Sequence, residues 1–289
     1  MHYEPQKTLT RPAQERAELW RTGVGLLAIA VLSLIVATIW IITQTALADR
    51  LGVEFFHPGA SPFGLVWTLS TFLCPTIALM IVLRVLHRRG ILSLIGPLDL
   101  AREQFVKVFL VQAGVIALAL ILPTPGGASV TANLSLGVWL SWLPLALAML
   151  AIQIGVEELI FRGYLQSQLA ARLRHPAFWI GLPAVLFAVL HLDPSAGGNR
   201  WLVVGVTFAF ALAAGDITAR AGTLGPALAM HFVNNFASLM LVGAAEQMQG
   251  MALYIIPVDM SDPSLWSSFL LEGLLILISW LGARIVLRR

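Results

Sequence analysis

Apolar stretches of about 20 residues recur along most of this chain, and they restrict its fold more than any other feature. The 289 residues are 58% hydrophobic and only 11% charged, whereas soluble domains carry about 25% charged residues. A helix needs about 20 apolar residues to cross the hydrocarbon core of a bilayer. The sequence therefore predicts an all-α fold, a polytopic bundle of transmembrane helices.

Eight apolar stretches are long enough, or nearly long enough, to serve as spans. They are Thr22–Leu47, Phe63–Val85, Phe105–Leu122, Leu143–Phe161, Ala177–Leu190, Trp201–Thr218, Leu224–Val242 and Leu265–Val286. The fifth has only 14 residues, so we expect it to be tilted, re-entrant or broken. The single cysteine, Cys74, lies inside an apolar stretch, so no intrachain disulfide can form.

The positions of the basic residues predict the orientation of these spans. With the N-terminus inside the cell, 16 of the 18 Lys and Arg residues lie in cytoplasmic segments, and only Arg50 and Arg200 lie outside. Such an excess of basic residues in the cytoplasmic segments is typical of membrane proteins. The sequence therefore predicts eight spans with both termini in the cytoplasm, residues 1–21 forming an N-terminal tail. The formal net charge of +3 then needs no nucleic-acid partner.

The stretch Gly155-Val-Glu-Glu-Leu-Ile-Phe-Arg-Gly-Tyr-Leu165 places two adjacent carboxylates at the end of a long apolar run. The spacing of four puts Glu158 and Arg162 on one helical face, where they can pair, while Glu157 points elsewhere. An ionisable residue inside a membrane costs about 2.5–3.5 kcal/mol on insertion scales, so it usually has a function. The plainer alternative is that both glutamates are the first polar residues past a membrane exit.

The segment that follows, Gly163–His175, alternates apolar and polar residues. Leu165, Leu169 and Leu173 define an apolar face, and Gln166, Gln168, Arg172 and Arg174 are polar. This pattern predicts a helix that lies along the cytoplasmic interface. An ordinary solvated helix end is the alternative.

Few other polar residues remain within the predicted spans. His191 ends the fifth span, and His231 lies four residues before Asn235 in the seventh, so these two share a helical face whereas Asn234 points away. An interfacial histidine and a polar contact between helices are the ordinary explanations. As a set with Glu157, these groups suit activation of water and stabilisation of an oxyanion. They could equally supply three zinc ligands with an open fourth position.

Three short motifs in this order resemble a known family. They are Glu157-Glu158-Leu-Ile-Phe-Arg162, Phe187-Ala-Val-Leu-His191 and His231-Phe-Val-Asn-Asn235. They match the Glu-Glu-x-x-x-Arg, Phe-x-x-x-His and His-x-x-x-Asn motifs of the CAAX-protease and bacteriocin-processing (CPBP, or Abi) family of intramembrane endopeptidases. The resemblance implies a core at residues 143–242, with three spans at 22–142 before it. An external loop and a last span follow at 243–289.

The resemblance also implies roles for single residues. Glu157 with His191 would activate water, His231 with Asn235 would form an oxyanion hole, and Glu158 and Arg162 would support them. The expected partners are the lipid bilayer and a peptide or membrane-protein substrate, prenylated or not, with no nucleic acid, in a bacterial inner membrane.

Two rival functions and one cofactor question remain open. The rivals are a transporter or proton-relay protein and a non-catalytic immunity or scaffold protein. A transporter would be expected to show an internal repeat or matched interrupted spans, and none is visible. We favour a mechanism without a metal. If zinc is bound, Glu157, His191 and His231 are its ligands, with Asn235 an unusual fourth.

Overall fold

The computed structural model describes residues 3–51, 58–121, 129–245 and 247–289. Its helices are α1 (Lys7–Thr10), α2 (Leu19–Leu51), α3 (Pro62–Ser70), α4 (Leu73–Val82), α5 (Leu98–Ile121), α6 (Leu136–Glu158), α7 (Gln166–Ala170), α8 (Pro176–Trp179), α9 (Gly181–Val189), α10 (Arg200–Ala221), α11 (Gly225–Phe236) and α12 (Trp266–Leu287). Three π-helical segments extend α4, α6 and α11. They are Leu83–His87, Leu159–Leu165 and Ala237–Leu241. The predicted helical membrane bundle is confirmed.

Six helical segments within the described ranges are long and apolar enough to cross a membrane. They are Leu19–Ala46, Pro62–His87, Leu98–Ile121, Leu136–Ala170, Pro194–Ala221 and Pro263–Leu287. The two remaining predicted spans are also helical, but shorter. The fifth is broken into α8 and α9, and the seventh is α11 with its π-helical extension. The chain is thus an integral membrane protein.

The fourth span is much longer than the predicted Leu143–Phe161. Helix runs without a break from Leu136 through the π-helical turns to Ala170. At 1.5 Å per residue this helix is about 50 Å long, well beyond a hydrocarbon core of about 30 Å. Glu157 therefore lies about 20 Å from the Ala170 end of this helix.

The prediction of an interfacial or solvated helix at Gly163–His175 is wrong for its first half. Every residue from Phe161 to Leu169 is buried inside the protein. Its glutamines are hydrogen-bonded through their amide nitrogens: the Gln166 amide donates to the Gly215 carbonyl oxygen at 3.1 Å and to Gln6 Oε1 at 3.2 Å. The side-chain oxygens of Gln166 and Gln168 have no partner among the described residues. Alternating polarity indicated a surface, but hydrogen bonds to the N-terminal tail and α10 let these amides be buried.

The predicted N-terminal tail is folded against this buried helix. Leu9 and Ala17 are fully buried, and the Tyr3 hydroxyl donates to Asp216 Oδ1 at 2.5 Å, near the end of α10. Burial and this hydrogen bond raise the pKa of Tyr3. The Arg16 carbonyl oxygen lies 3.0 Å from His87 Nδ1, at the end of the second span. The tail and these helix ends therefore share one end of the bundle.

The second half of the bundle is tightly packed around α11. This helix lies against α5, α6 and α10, and α12 packs on α5 and α10. A Cβ atom at Gly225 would overlap the carbonyl oxygen of Ala101, so the close approach of α11 to α5 requires glycine there. Small residues allow such backbone approach in membrane bundles.

A small sheet closes the opposite end, which an all-α prediction did not anticipate. Its strands β1 (Thr131–Ala132), β2 (Val242–Ala244) and β3 (Tyr254–Ile256) are ordered β1-β3-β2. Thr131 pairs with Ile255 in antiparallel register, and Val242 pairs with Tyr254 in parallel register. The sheet ties the segment after α11 to the segment before α6.

The orientation of the bundle is a testable prediction. Residues 1–21 and 284–289 should be cytoplasmic, and the connection Val242–Asp262 should be external, because it carries no Lys or Arg. Glu246 in this connection lies outside the described residues. In a Cys74→Ala background, Asp259→Cys should be labelled by an impermeant thiol reagent in intact cells, and Thr8→Cys only after lysis. The reverse pattern would contradict the orientation.

Candidate active site

The four residues predicted as catalytic line one cavity of about 480 Å³. Glu157 comes from α6, His191 follows α9, and His231 and Asn235 come from α11. Three separate elements thus bring a carboxylate, two imidazoles and an amide to one place.

Behind the cavity, Glu158 and Arg162 form the ion pair that their spacing predicts. Arg162 Nη1 lies 3.0 Å from Glu158 Oε1, and the two side chains are 2% and 0% exposed. The Arg162 guanidinium also lies 4.5 Å from the centre of the Phe187 ring, a cation–π distance. The charge of Glu158 is therefore balanced within the protein rather than by water.

His231 joins this buried pair to the cavity. Its Nδ1 lies 2.8 Å from Glu158 Oε1, and its Nε2 lies 3.4 Å from Glu157 Oε2. Because an ionised carboxylate only accepts hydrogen bonds, Nδ1 must carry the hydrogen that faces Glu158. A proton carried by Nε2 would then lie between this nitrogen and Glu157 Oε2. Glu158 fixes the tautomer of His231, which leaves Nε2 for chemistry in the cavity.

His191 presents its second ring nitrogen to the cavity in a complementary way. Its Nδ1 lies 2.8 Å from the Phe187 carbonyl oxygen, which can only accept, so Nδ1 carries the hydrogen. The imidazole is exposed to the cavity. In the neutral ring Nε2 is therefore an acceptor, able to hold a water molecule or take up a proton.

Asn235 is held by a residue that sequence reasoning missed. Its Nδ2 donates to Gln153 Oε1 at 3.2 Å, one turn before Glu157 on α6. One amide hydrogen of Asn235 thus remains for a ligand. The prediction that Asn234 points away is wrong, because it also lines the cavity and its amide lies 3.5 Å from Asn235 Oδ1. The spacing of Gln153 and Glu157, four residues on one helix, was the signal available in the sequence.

A second, apolar groove of about 380 Å³ meets Glu157 and His191 from the other side. It lies between α2, α4, α6 and α9, with Ile29, Ile160 and Leu190 among its walls. Glu157 and His191 thus line both the cavity and the apolar groove. This arrangement fits a ligand with a hydrophobic part.

The side chains do not assemble a metal site. Within the described ranges, no group of three or more His, Cys, Asp or Glu side chains is arranged to hold a metal ion. The Nδ1 atoms of both histidines contact Phe187 and Glu158, so their Nε2 atoms are the ones left for the cavity. His231 Nε2 is 3.4 Å from Glu157 Oε2, too close for a water molecule to lie between them.

Comparison with known proteins finds a similarity to a family of endopeptidases in one segment of the chain. Residues 138–237 match the family described as Type II CAAX prenyl endopeptidase Rce1-like. The family resemblance is confirmed. This Rce1-like segment, residues 138–237, contains Glu157, His191, His231 and Asn235, and it covers the helices from α6 to α11.

One curated relative and no solved structure accompany this match. The chain is 25% identical over 166 residues to an uncharacterized protein of Bacillus subtilis (strain 168), YyaK. The aligned part covers 57% of this chain and 54% of that relative, so the chain spans about half its length. No solved structure matches.

Proposed function

We propose that this protein is an intramembrane endopeptidase that hydrolyses a peptide bond of a membrane-associated substrate, prenylated or not, with water activated by Glu157 and His191. The observation that carries the proposal is the convergence of Glu157, His191, His231 and Asn235 on one cavity. A scaffold or immunity protein has no need for this convergence. The Rce1-like segment supports hydrolysis, since the family it matches consists of endopeptidases.

Water is the nucleophile in this proposal. The Glu157 carboxylate takes a proton from a water molecule as the water oxygen bonds to the carbonyl carbon of the substrate. His191 Nε2 accepts a hydrogen bond from the second hydrogen of that water, which stays on the water oxygen. The C–N bond then breaks, and the proton held by Glu157 passes to the departing amine nitrogen. A positioned base of this kind contributes about 10²–10⁴-fold to a rate.

His231 and Asn235 stabilise the negative charge on the former carbonyl oxygen. With Nδ1–H bound to Glu158, a proton on Nε2 makes His231 an imidazolium, whose charge is balanced by Glu158 and by Glu157 3.4 Å away. The free amide hydrogen of Asn235 supplies a second donor. Donors fixed in advance, in a site shielded from water, are effective oxyanion stabilisers.

The surroundings of the site support a substrate that reaches it from the membrane. The apolar groove of about 380 Å³ leads to Glu157 and His191 between helices, and the first span, α2, forms one of its walls. A bacterial cell membrane is the proposed location, in keeping with a relative from Bacillus subtilis.

The test is a comparison of membrane peptides in cells that express the wild-type protein or Glu157→Ala at equal levels. The proposal expects peptide products that are present with the wild type and missing with the variant, together with accumulation of their precursor. Identical peptide profiles under conditions where both proteins are folded would contradict it.

Metal content gives an independent prediction. Because no three-residue ligand set is present among the described residues, purified active protein should contain well under one zinc ion per chain. A membrane-permeant chelator should leave cleavage intact. Elemental analysis measures the zinc content, and an activity assay measures cleavage in the presence of the chelator. Stoichiometric zinc would favour a metalloprotease if its removal abolished activity and its addition restored activity.

A further inference from the structure

The catalytic cavity contains a second carboxylate, Glu272, that the proposed reaction does not use. Glu272 lies on α12, six residues after its start at Trp266, and within the last predicted span. It lines the catalytic cavity and also a smaller one of about 40 Å³ between α5, α10, α11 and α12. It is outside the Rce1-like segment, residues 138–237.

Glu272 is unusual because nothing balances it. Its side chain is exposed rather than packed, and no hydrogen bond or ion pair joins it to another residue in the described part of the chain. The other acidic residue beside the site, Glu158, is paired with Arg162. A charged residue within a membrane costs about 2.5–3.5 kcal/mol on insertion scales and normally faces a cavity or a partner.

Apart from its two histidines, the ionisable residues that line the cavity are all acidic. Its walls carry two carboxylates, Glu157 and Glu272, and none of the described residues that line it is Lys or Arg. Arg162 lies behind the wall, buried against Glu158. A low-dielectric cleft lined by carboxylates attracts cations and repels anions. The cavity is therefore complementary to a positively charged group.

We propose that Glu272 forms a subsite for a cationic group of the substrate, the ammonium of a lysine or the guanidinium of an arginine close to the scissile bond. The inference rests on the proposed function, since it specifies what the peptide carries. Asn234, which lines both cavities with Glu272, places the subsite beside the oxyanion donors. Glu272 would select the substrate without taking part in bond breaking.

The test uses a series of 20-residue apolar transmembrane peptides that carry one Lys, or one Met as the control, at successive positions. Binding is measured in detergent by fluorescence anisotropy with the Glu157→Gln protein, in which cleavage is expected to be lost. At one or a few adjacent positions, the Lys peptide should bind at least tenfold more tightly than the Met peptide. Adding Glu272→Gln should remove this difference, whereas adding Glu103→Gln, on the exposed pair with Lys107, should leave it unchanged.

A variant with the opposite charge at position 272 supplies the second part of the test. Glu272→Lys should favour a peptide with Glu over one with Lys at the same position. Cleavage by otherwise wild-type protein is measured with the same peptides, and Glu272→Gln should slow the cleavage of the Lys peptide and not that of the Met peptide. Equal slowing of both peptides would instead indicate a proton-transfer role and overturn the subsite. If the Lys preference in binding is present but no peptide is cleaved, the proposed function fails and the subsite stands.

Discussion

Glu157→Gln is expected to lower the rate constant for peptide-bond cleavage by about 100-fold or more, because the amide cannot take the proton of the attacking water. Glutamine keeps the size of the side chain, and Glu157 is not part of the buried Glu158–Arg162 pair. The variant should therefore remain folded. The measurement is the initial rate of cleavage of a peptide identified from membranes, with the thermal unfolding of the variant as a check on folding.

The matched control is Glu103→Gln, which neutralises an exposed glutamate on α5 that is paired with Lys107. It should cleave the same peptide at the wild-type rate. Full activity of a folded Glu157→Gln protein would end the proposal that Glu157 is the base. A large loss of activity in both variants would show that the assay responds to charge in general.

The second large effect is on stability. Arg162→Ala should lower the free energy of unfolding by about 3–5 kcal/mol, the usual result of removing one partner of a buried ion pair. Arg162 is 2% exposed, balances Glu158, and lies over the Phe187 ring. Without it, the Glu158 carboxylate faces only His231, and a large cavity remains. Denaturation in mild detergent, followed by tryptophan fluorescence, measures the loss.

Two variants separate charge from packing in this experiment. Lys107→Ala breaks an ion pair of the same spacing that is about half exposed, and it should cost at most about 1 kcal/mol. The double variant Glu158→Gln/Arg162→Met should be more stable than Arg162→Ala, because no unpaired charge is left buried. An Arg162→Ala protein with unchanged stability would contradict the structural role given to the pair.

Much of the candidate site could be read from single motifs, because helical spacing is local. Glu158 and Arg162 are four residues apart, so their pairing follows from the pitch of a helix. The shared face of His231 and Asn235 follows in the same way. Helical spacing does not predict the contact between His231 and the two glutamates. These residues are 73 and 74 positions apart in the sequence and meet only when α11 packs on α6.

The errors have a common physical origin. The predicted end of the fourth span at Phe161 and the predicted surface position of the glutamines after it both treat polarity as the mark of a membrane boundary. In the fold, Gln166 and Gln168 are buried and hydrogen-bonded, to Gly215 and to His87 respectively. The polarity of a residue indicates the free energy that is needed to bury it without hydrogen-bond partners. It does not indicate whether the fold supplies those partners.

The apolar stretches by themselves determined that the chain is a helical membrane protein, because backbone polar groups in lipid must bond within helices. The motifs predicted which side chains carry chemistry. Only the tertiary structure decided that Glu157, His191, His231 and Asn235 reach one cavity, that Gln153 and Asn234 join them, and that Glu272 from the last helix faces the same space. The reason is that helix rotation and depth are set by packing between distant segments, and no local pattern encodes them.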